Sequence, residues 1–379
     1  MFSPFSPVDI RILAKDSALD AAETLLHGAR ALCLIAGESM VQRLSLSAFV
    51  AGLLARHNGV WVKRVPANPS VSDISGVLQS LKGRPVDFIL AIGGGSAMDL
   101  GKAVAALAGF LPEENLTEEH VRRTVADKTY AGRPGVPALI ALPTTAGSGS
   151  EVTRWATVWD PEYRHKMSLD DVGLFPRAAL VVPPFTVSMG PELTLSTGLD
   201  ALSHAMEAFW AKSRTPLSQA LATAAMERIK AALPKAVQPE NAADLSLRQE
   251  MCLGALMAGL AFSITRTTAC HAISYPLTML HGLPHGMAAA VTLSAVLARN
   301  QRAVPEIQKI RELFAGENGL DAWLARLSAP VKPLRLSAFG IGEAELEAIA
   351  GLCFTAGRMD NNPVAFTLPQ VLEILRESL

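Results

Sequence analysis

Asp200 and His204 stand four residues apart in Thr197-Gly198-Leu199-Asp200-Ala201-Leu202-Ser203-His204-Ala205-Met206-Glu207. On a helix that spacing puts both side chains on one face. His271 and His285 follow in the segment ACHAISYPLTMLHGLPHGMA. One carboxylate and three imidazoles make a suitable nest for a divalent iron or zinc ion, with room for a substrate oxygen. A plainer reading stands beside this one: Asp200 caps Thr197 or pairs with His204 at the surface, and each histidine is a satisfied core residue. The chain has only eight histidines, however, and four of them, His204, His271, His281 and His285, fall in apolar helical sequence. Unpaired imidazoles are costly to bury there.

Two small-residue turns suggest a second chemistry. Ala91-Ile92-Gly93-Gly94-Gly95-Ser96-Ala97-Met98-Asp99 puts three glycines between a β-like run and a helical one. Glycines let the backbone approach a ligand closely, and a helix N-terminus offers free N–H groups to a pyrophosphate. The alternative is a structural turn with Ser96 as N-cap and Asp99 as its capping partner. The turn is not the GxGxxG fingerprint of the usual dinucleotide fold. Pro143-Thr144-Thr145-Ala146-Gly147-Ser148-Gly149-Ser150-Glu151 follows another β-like run. Two such turns at adjacent strand ends form the kind of crevice in which a parallel sheet binds a nucleotide.

These groups need a scaffold that alternates strands and helices, and the first half of the chain reads that way. Strands are expected at 31–36, 61–65, 86–92, 138–142 and 180–182. Helices are expected at about 41–56, 71–82 and 96–108, and a hairpin around Asp160-Pro161-Glu162-Tyr163. The charged, Pro/Gly-punctuated stretch 111–135 reads as a surface excursion. From about Ser188 onward Ala/Leu/Met-rich helical spacing takes over. The expected fold class is an α/β N-terminal domain with a mainly parallel sheet plus an all-α C-terminal domain, divided as residues 1–187 and 188–379.

A chain of 379 residues is long for one hydrophobic core, which also favours two domains. With 34 basic and 35 acidic residues it has no general electrostatic attraction for nucleic acid or an anionic membrane. Cys33, Cys252, Cys270 and Cys353 form no CxxC pair, so reduced thiols are expected. The N-terminal MFSPFSPVDIRIL lacks the form of a signal peptide, and no apolar run reaches spanning length. The expectation is therefore a cytoplasmic enzyme of a small molecule, without nucleic-acid or membrane partners; a homodimer is compatible with it.

Taken together, GGGSAMDLGKA, ALPTTAGSGSEVT, STGLDALSHAMEAF and HAISYPLTMLHGLPHG resemble the iron-containing alcohol dehydrogenase family in order and spacing, along essentially the whole chain. The resemblance implies a nucleotide-binding domain and a helical domain, with a metal in the cleft between them. It implies NAD(P)H and Fe2+ (Zn2+ in some cases) as cofactors and Asp200, His204, His271 and His285 as ligands. Gly94, Gly95, Ser96 and Asp99 fall on the family's pyrophosphate loop. Thr144, Thr145 and Ser148 fall on its nicotinamide-side contacts, Lys166 on a cofactor lysine, Asn68 near the adenine and Phe262 in the substrate pocket.

Two positions depart from the pattern. Where many members carry an aspartate for the adenosine ribose, this chain has Gly37, which makes a 2′-phosphate more acceptable, although Glu38 tempers the effect. Where many have a histidine proposed to relay a proton, this chain has Tyr275, so Tyr275, His281 and water are the candidates for proton delivery. Within the family, TRWATVWD, HKMSL, RTTACHAISYPLT and Asn361-Asn362-Pro363 resemble the phosphonoacetaldehyde reductases, which make 2-hydroxyethylphosphonate. Arg266 is four residues from Phe262, so a continuing helix would present both to one pocket, where a guanidinium fits a phosphonate bidentately. Arg154 is a second candidate cation, with a surface salt bridge as its alternative. A reductase of another small aldehyde (lactaldehyde, butanol or maleylacetate type), a dehydroquinate-synthase-like lyase and a non-catalytic binding protein are the competing readings.

Overall fold

The protein is described by a computed structural model over residues 6–163, 165–354 and 357–379. The reading of the N-terminal segment as no leader peptide falls partly on residues 1–5, outside the described residues. The chain divides into two compact units, Met1–Thr145 with Ser150–Ser188, and Ala146–Gly149 with Met189–Leu379. The single cut expected after residue 187 did not provide for Ala146–Gly149, which belongs with the second unit.

The first unit runs β1 (Asp9–Ile12), α1 (Lys15–Leu25), β2 (Leu32–Ala36), α2 (Glu38–Arg43), α3 (Ser47–Arg56), β3 (Val60–Val62), α4 (Val71–Ser80), β4 (Phe88–Gly93), α5 (Gly95–Leu107), α6 (Glu118–Ala126), β5 (Ala138–Pro143), β6 (Trp155–Asp160), β7 (His165–Asp170) and β8 (Ala178–Val181). Six strands form one sheet in the order β1-β8-β5-β4-β2-β3, and every pairing in it is parallel. β6 and β7 pair antiparallel as the expected hairpin. Parallel strands covered on both faces read as continuous apolar runs, and their period of two sends alternate residues to opposite cores. Cys33, Ile35, Ile89, Ala91, Leu139 and Ala141 pack with α4, α5 and α6. Leu34, Ala36, Leu90, Ile92, Ile140 and Leu142 pack on the other face with α1, α2 and α3.

Three details differ from the sequence-based expectation. β1 was not foreseen: DIRI is short, charged and at the sheet edge. The helix expected over 41–56 is two helices, α2 and α3, broken where Ser45 takes a left-handed φ of 54°. The excursion 111–135 contains α6, capped by Thr117, whose side chain accepts from the His120 N–H.

Among the described residues, the strands all lie in the first unit. The second is helical: α7 (Pro191–Trp210), α8 (Pro216–Ala236), α9 (Leu245–Thr265), α10 (Ala269–His281), α11 (His285–Ala290), α12 (Leu293–Asn300), α13 (Gln308–Phe314), α14 (Leu320–Ser328), α15 (Leu346–Gly351) and α16 (Leu368–Glu377). From Leu199 to Trp210 every residue of α7 is buried. Polar groups on such a helix need partners inside the protein. Among the described residues no single helix is long and apolar enough to cross a membrane; α9 and α10 pass only as a pair, bent by 108°.

Candidate metal centre and cofactor turn

α7 carries Asp200 and His204 one turn apart, as expected, and α10 and α11 bring His271 and His285 to the same carboxylate. Asp200 Oδ1 lies 3.4 Å from His271 Nε2 and 3.9 Å from the Nε2 atoms of both His204 and His285. Ligand atoms of Asp200, His204 and His271 all fall within 4.8 Å of one another, and all three residues are buried. Asp200 Oδ1 and His271 Nε2 are buried without a hydrogen-bond partner. Orphaned lone pairs that converge in this way fit a divalent ion, and the oxygen and imidazole donors suit iron or zinc.

The electrostatics agree with that fit. Burial alone would raise the Asp200 pKa, but the field of His204 and the contact with His271 outweigh it and hold the carboxyl well below its usual range. Burial lowers the His204 pKa to about 4, which keeps its imidazole neutral and available as a ligand.

Sequence reasoning passed over Glu207. It is fully buried on α7, seven residues after Asp200, and its Oε2 accepts a hydrogen bond from His271 Nδ1. Its Oε1 accepts from Thr268 Oγ1 (2.7 Å), Cys270 N (2.7 Å) and His271 N (3.3 Å). A carboxylate on Nδ1 fixes the ring and leaves Nε2 facing Asp200, the arrangement that orients a metal-binding histidine. The i, i+4, i+7 spacing on one helical face was the signal that could have found it.

Gly286 sets the place of His285. A Cβ there would sit 1.8 Å from Ser196 O and 2.8 Å from Asp200 Cβ, so only glycine lets α11 start against α7. Phe262 stacks on His204 with ring centroids 4.1 Å apart, an apolar wall beside the cluster. Tyr275 is buried and stacks parallel to His285 at 6.2 Å. Burial raises its pKa to about 12, so it is a protonated phenol at neutral pH. His281 is the last residue of α10, ten residues after His271, so about 15 Å along the axis separates them. The structure therefore brings Tyr275 to the cluster, while His281 closes α10 four residues before His285.

The first unit assembles most of the expected cofactor residues. β2 hands the chain to β3 on one side and β4 lies on its other side, so the loops after β2 and β4 flank a topological switch point. Gly37 follows β2, and Gly94 and Gly95 follow β4. Gly93 has a φ of 156°, and a Cβ there would meet Ala97 at 2.6 Å. Gly94 is the N-cap of α5 and has no side-chain cap, so the alternative reading of Ser96 as N-cap does not hold. Ser96 Oγ instead accepts from the backbone N–H of Asn68, which itself takes a left-handed φ of 55°. Thr144 N donates to Gly93 O at 2.8 Å, and Thr145 Oγ1 lies 3.1 Å from the Cβ position of Gly94. The two turns thus touch. Ser148 belongs to the second unit, and Lys166 on β7 lies 5.4 Å from the Trp159 ring centroid.

Asp99, in the second turn of α5 after the Gly94–Ser96 turn, has a structural role as well. Its Oδ1 accepts from Ser150 Oγ (2.8 Å) and its Oδ2 from Thr157 N (3.0 Å), so it anchors β6 to α5. Lys102, also unremarked in the sequence, is fully buried and donates to Ser150 O (2.6 Å), Ser150 Oγ (2.8 Å) and Trp155 O (2.8 Å). Burial lowers its pKa to about 8 against the pull of Asp99 and Glu151.

The two arginines have local geometries of their own. α9 ends at Thr265, and Arg266 is its C-cap with φ 65° and ψ 176°, so the one-turn spacing from Phe262 does not set its direction. Arg154 forms an ion pair with Asp170 at 2.8 Å, the salt bridge weighed as its alternative.

Residues 10–183 match the family described as iron-containing alcohol dehydrogenase, and residues 194–379 match the C-terminal part of the Fe-containing alcohol dehydrogenase family. The NAD-dependent methanol dehydrogenase of Bacillus methanolicus is 32% identical over 330 residues, 82% of each chain. The phosphonoacetaldehyde reductase of Streptomyces viridochromogenes is 39% identical over 240 residues, 62% of this chain and 59% of that protein. Three of the curated relatives it matches are spanned to only 58–59% of their own length. A solved sulfoacetaldehyde reductase from Bifidobacterium kashiwanohense, in complex with NAD+, superposes with a TM-score of 0.85 at 28% identity, covering 100% of this chain and 98% of that one. The chain belongs to the iron-containing alcohol dehydrogenase family, whose cofactors are iron and NAD(P).

Proposed function

We propose that the protein is a metal-dependent, NAD(P)H-linked reductase of a short aldehyde with an anionic tail, and that phosphonoacetaldehyde, reduced to 2-hydroxyethylphosphonate, is its substrate. The observation that carries the reaction class is the convergence of buried Asp200, His204 and His271 with half-exposed His285, with Glu207 behind His271. Likeness to a phosphonoacetaldehyde reductase and to a sulfoacetaldehyde reductase supports the anionic tail.

In this reading Asp200, His204, His271 and His285 hold the ion, which when bound supplies Lewis-acid stabilisation of the carbonyl oxygen. The chain does the rest. Glu207 orients the His271 ring. Phe262, flat against His204, keeps water from that side of the aldehyde. The turn at Gly94–Ser96, at the N-terminus of α5, binds the cofactor's phosphates through backbone N–H groups, and Thr144 and Thr145 contact its nicotinamide side. Tyr275, a phenol at neutral pH, holds the proton destined for the product oxygen.

An aldehyde panel tests the reading. Phosphonoacetaldehyde, sulfoacetaldehyde, propanal and butanal are run with NADH and NADPH after loading with Fe2+ or Zn2+. Stoichiometric cofactor oxidation with the highest kcat/KM on phosphonoacetaldehyde is expected. A lyase would return its nicotinamide unchanged, and binding without turnover would leave only a binding protein.

A further inference from the structure

α9 and α10 meet at a bend of 108°, and Arg266 stands in it with the left-handed φ of 65° that side chains rarely adopt. A non-glycine residue keeps such a backbone only where its surroundings hold it. Here the hold comes from Asn361, almost a hundred residues away. Its Nδ2 donates to Thr265 O at 2.7 Å and Thr267 O at 3.1 Å, the carbonyls on either side of Arg266. Ser213 Oγ adds a bond to Thr265 O at 2.7 Å. Asn361 is fixed in turn, because Lys212 N donates to its carbonyl at 2.9 Å. The next residue, Asn362, is fully buried and exchanges amide hydrogen bonds with Asn300, each 2.9 Å long.

The clamping segment also carries a second cation. Arg358, three residues before Asn361, places its guanidinium 5.3 Å from the centroid of the Tyr275 ring. The guanidinium of Arg266 rests against Gly357, with Nη1 2.8 Å from where a Cβ would be. Tyr275 is hydrogen-bonded to Thr267, the neighbour of Arg266, and its ring lies parallel to that of His285. One half-buried guanidinium, that of Arg358, therefore lies beside a buried tyrosine that adjoins the metal cluster, and the other, that of Arg266, lies against the residue preceding Arg358.

We propose that Arg266 and Arg358 together bind the tetrahedral oxyanion of the substrate, a phosphonate or sulfonate, and that Asn361 is the residue positioning Arg266. This rests on the anionic-aldehyde reading above and names the groups that select the tail. Two planar forks match the three oxygens of a tetrahedral anion, which offers more acceptor sites, spread around a threefold axis, than a planar carboxylate does.

The test uses the metal-loaded full-length chain with Arg266→Gln, Arg358→Gln, Arg358→Lys and Asn361→Ala. kcat/KM is measured on phosphonoacetaldehyde, sulfoacetaldehyde and propanal, and calorimetry follows binding of 2-hydroxyethylphosphonate. Each glutamine variant should lower the ratio of anionic to neutral kcat/KM roughly ten- to a hundredfold, through KM, the loss expected for a charge-assisted hydrogen bond. Arg358→Lys should recover part of that ratio. Asn361→Ala should lower it too, with a smaller effect on melting temperature than on the ratio. The arm with the larger loss, phosphonate or sulfonate, identifies the tail. An unchanged ratio in Arg358→Gln, in an enzyme that prefers anionic aldehydes, overturns the two-arginine assignment and leaves the substrate reading standing. A wild type that reduces only propanal and binds no 2-hydroxyethylphosphonate overturns both.

Discussion

Replacing Glu207 by glutamine should uncouple metal binding from folding. The carboxylate is fully buried and accepts from four donors: His271 Nδ1, Thr268 Oγ1, Cys270 N and His271 N. Glutamine has nearly the same shape, but one of its two heads is a donor. If the amide oxygen stays with Thr268 and Cys270, the NH2 faces His271 Nδ1. That nitrogen must then give up its proton and accept, which puts the proton of the neutral ring on Nε2, the atom that faces Asp200 at 3.4 Å. A protonated Nε2 is no ligand. If the amide flips, its NH2 meets three donors instead. Either arrangement costs about 1–3 kcal/mol, the usual penalty for a buried polar group left unmatched.

Loss of the group that orients a ligating histidine weakens metal binding about ten- to a hundredfold. Zinc and cobalt affinities, from competition with a chromophoric chelator, should fall by that factor in Glu207→Gln. Melting of the metal-free protein should show a folded chain. Glu207→Ala should be worse on both counts, since it leaves buried donors with no acceptor. Wild-type zinc affinity in Glu207→Gln would refute the orienting role. A lowered melting temperature with unchanged affinity would reduce Glu207 to a structural residue.

Three other outcomes follow from local geometry. Gly37→Asp meets no atom within 4 Å of its new Cβ, so it should fold normally and shift the ratio of NADPH to NADH kcat/KM toward NADH; a wild type strictly dependent on NADH would contradict the role given to Gly37. Gly286→Ala forces its methyl group into Ser196 O, so denaturant unfolding should show a loss of about 1–3 kcal/mol or more, and zinc affinity should fall as His285 shifts. Asp87 accepts from the N–H groups of Arg30 and Ala31, each at 2.9 Å, and although burial acts to raise its pKa these bonds bring it below the ordinary value. Its contribution to stability is thus present above about pH 4 and is lost as pH falls through the lowered folded-state value. Asp87→Ala should cost about 1 kcal/mol at pH 7 in urea titration, and the difference from wild type should shrink at acid pH.

What the sequence made legible follows one physical rule: a pattern is readable when its partners are close along the chain. The buried strands β2, β4 and β5 are apolar runs of period two, and Asp200 and His204 are one helical turn apart. Both could be read in place. Glu207 obeys the same rule at the next turn, yet its partner is an imidazole 64 residues further on. A carboxylate alone on an apolar helix gives no sign of whether it ligates, pairs or orients.

Arg266 shows the rule failing in the other direction. One turn from Phe262 it should share that residue's face, and nothing in Ile264-Thr265-Arg266-Thr267 marks a helix end: no glycine, no proline, no capping asparagine. The helix ends there because Asn361 and Ser213 take the Thr265 carbonyl, and Asn361 takes that of Thr267 as well, from distant parts of the chain. A bend stabilised from outside leaves no local signature. The same cause hid the role of Asp99: a carboxylate three residues after Ser96 has the spacing of a capping box, but Ser150 and Thr157 claim both its oxygens once the sheet is assembled. Arg266, Asp99 and Glu207 thus take their roles from partners about fifty to a hundred positions away. Asn361 and Glu207 each fix a residue that local spacing alone could not orient.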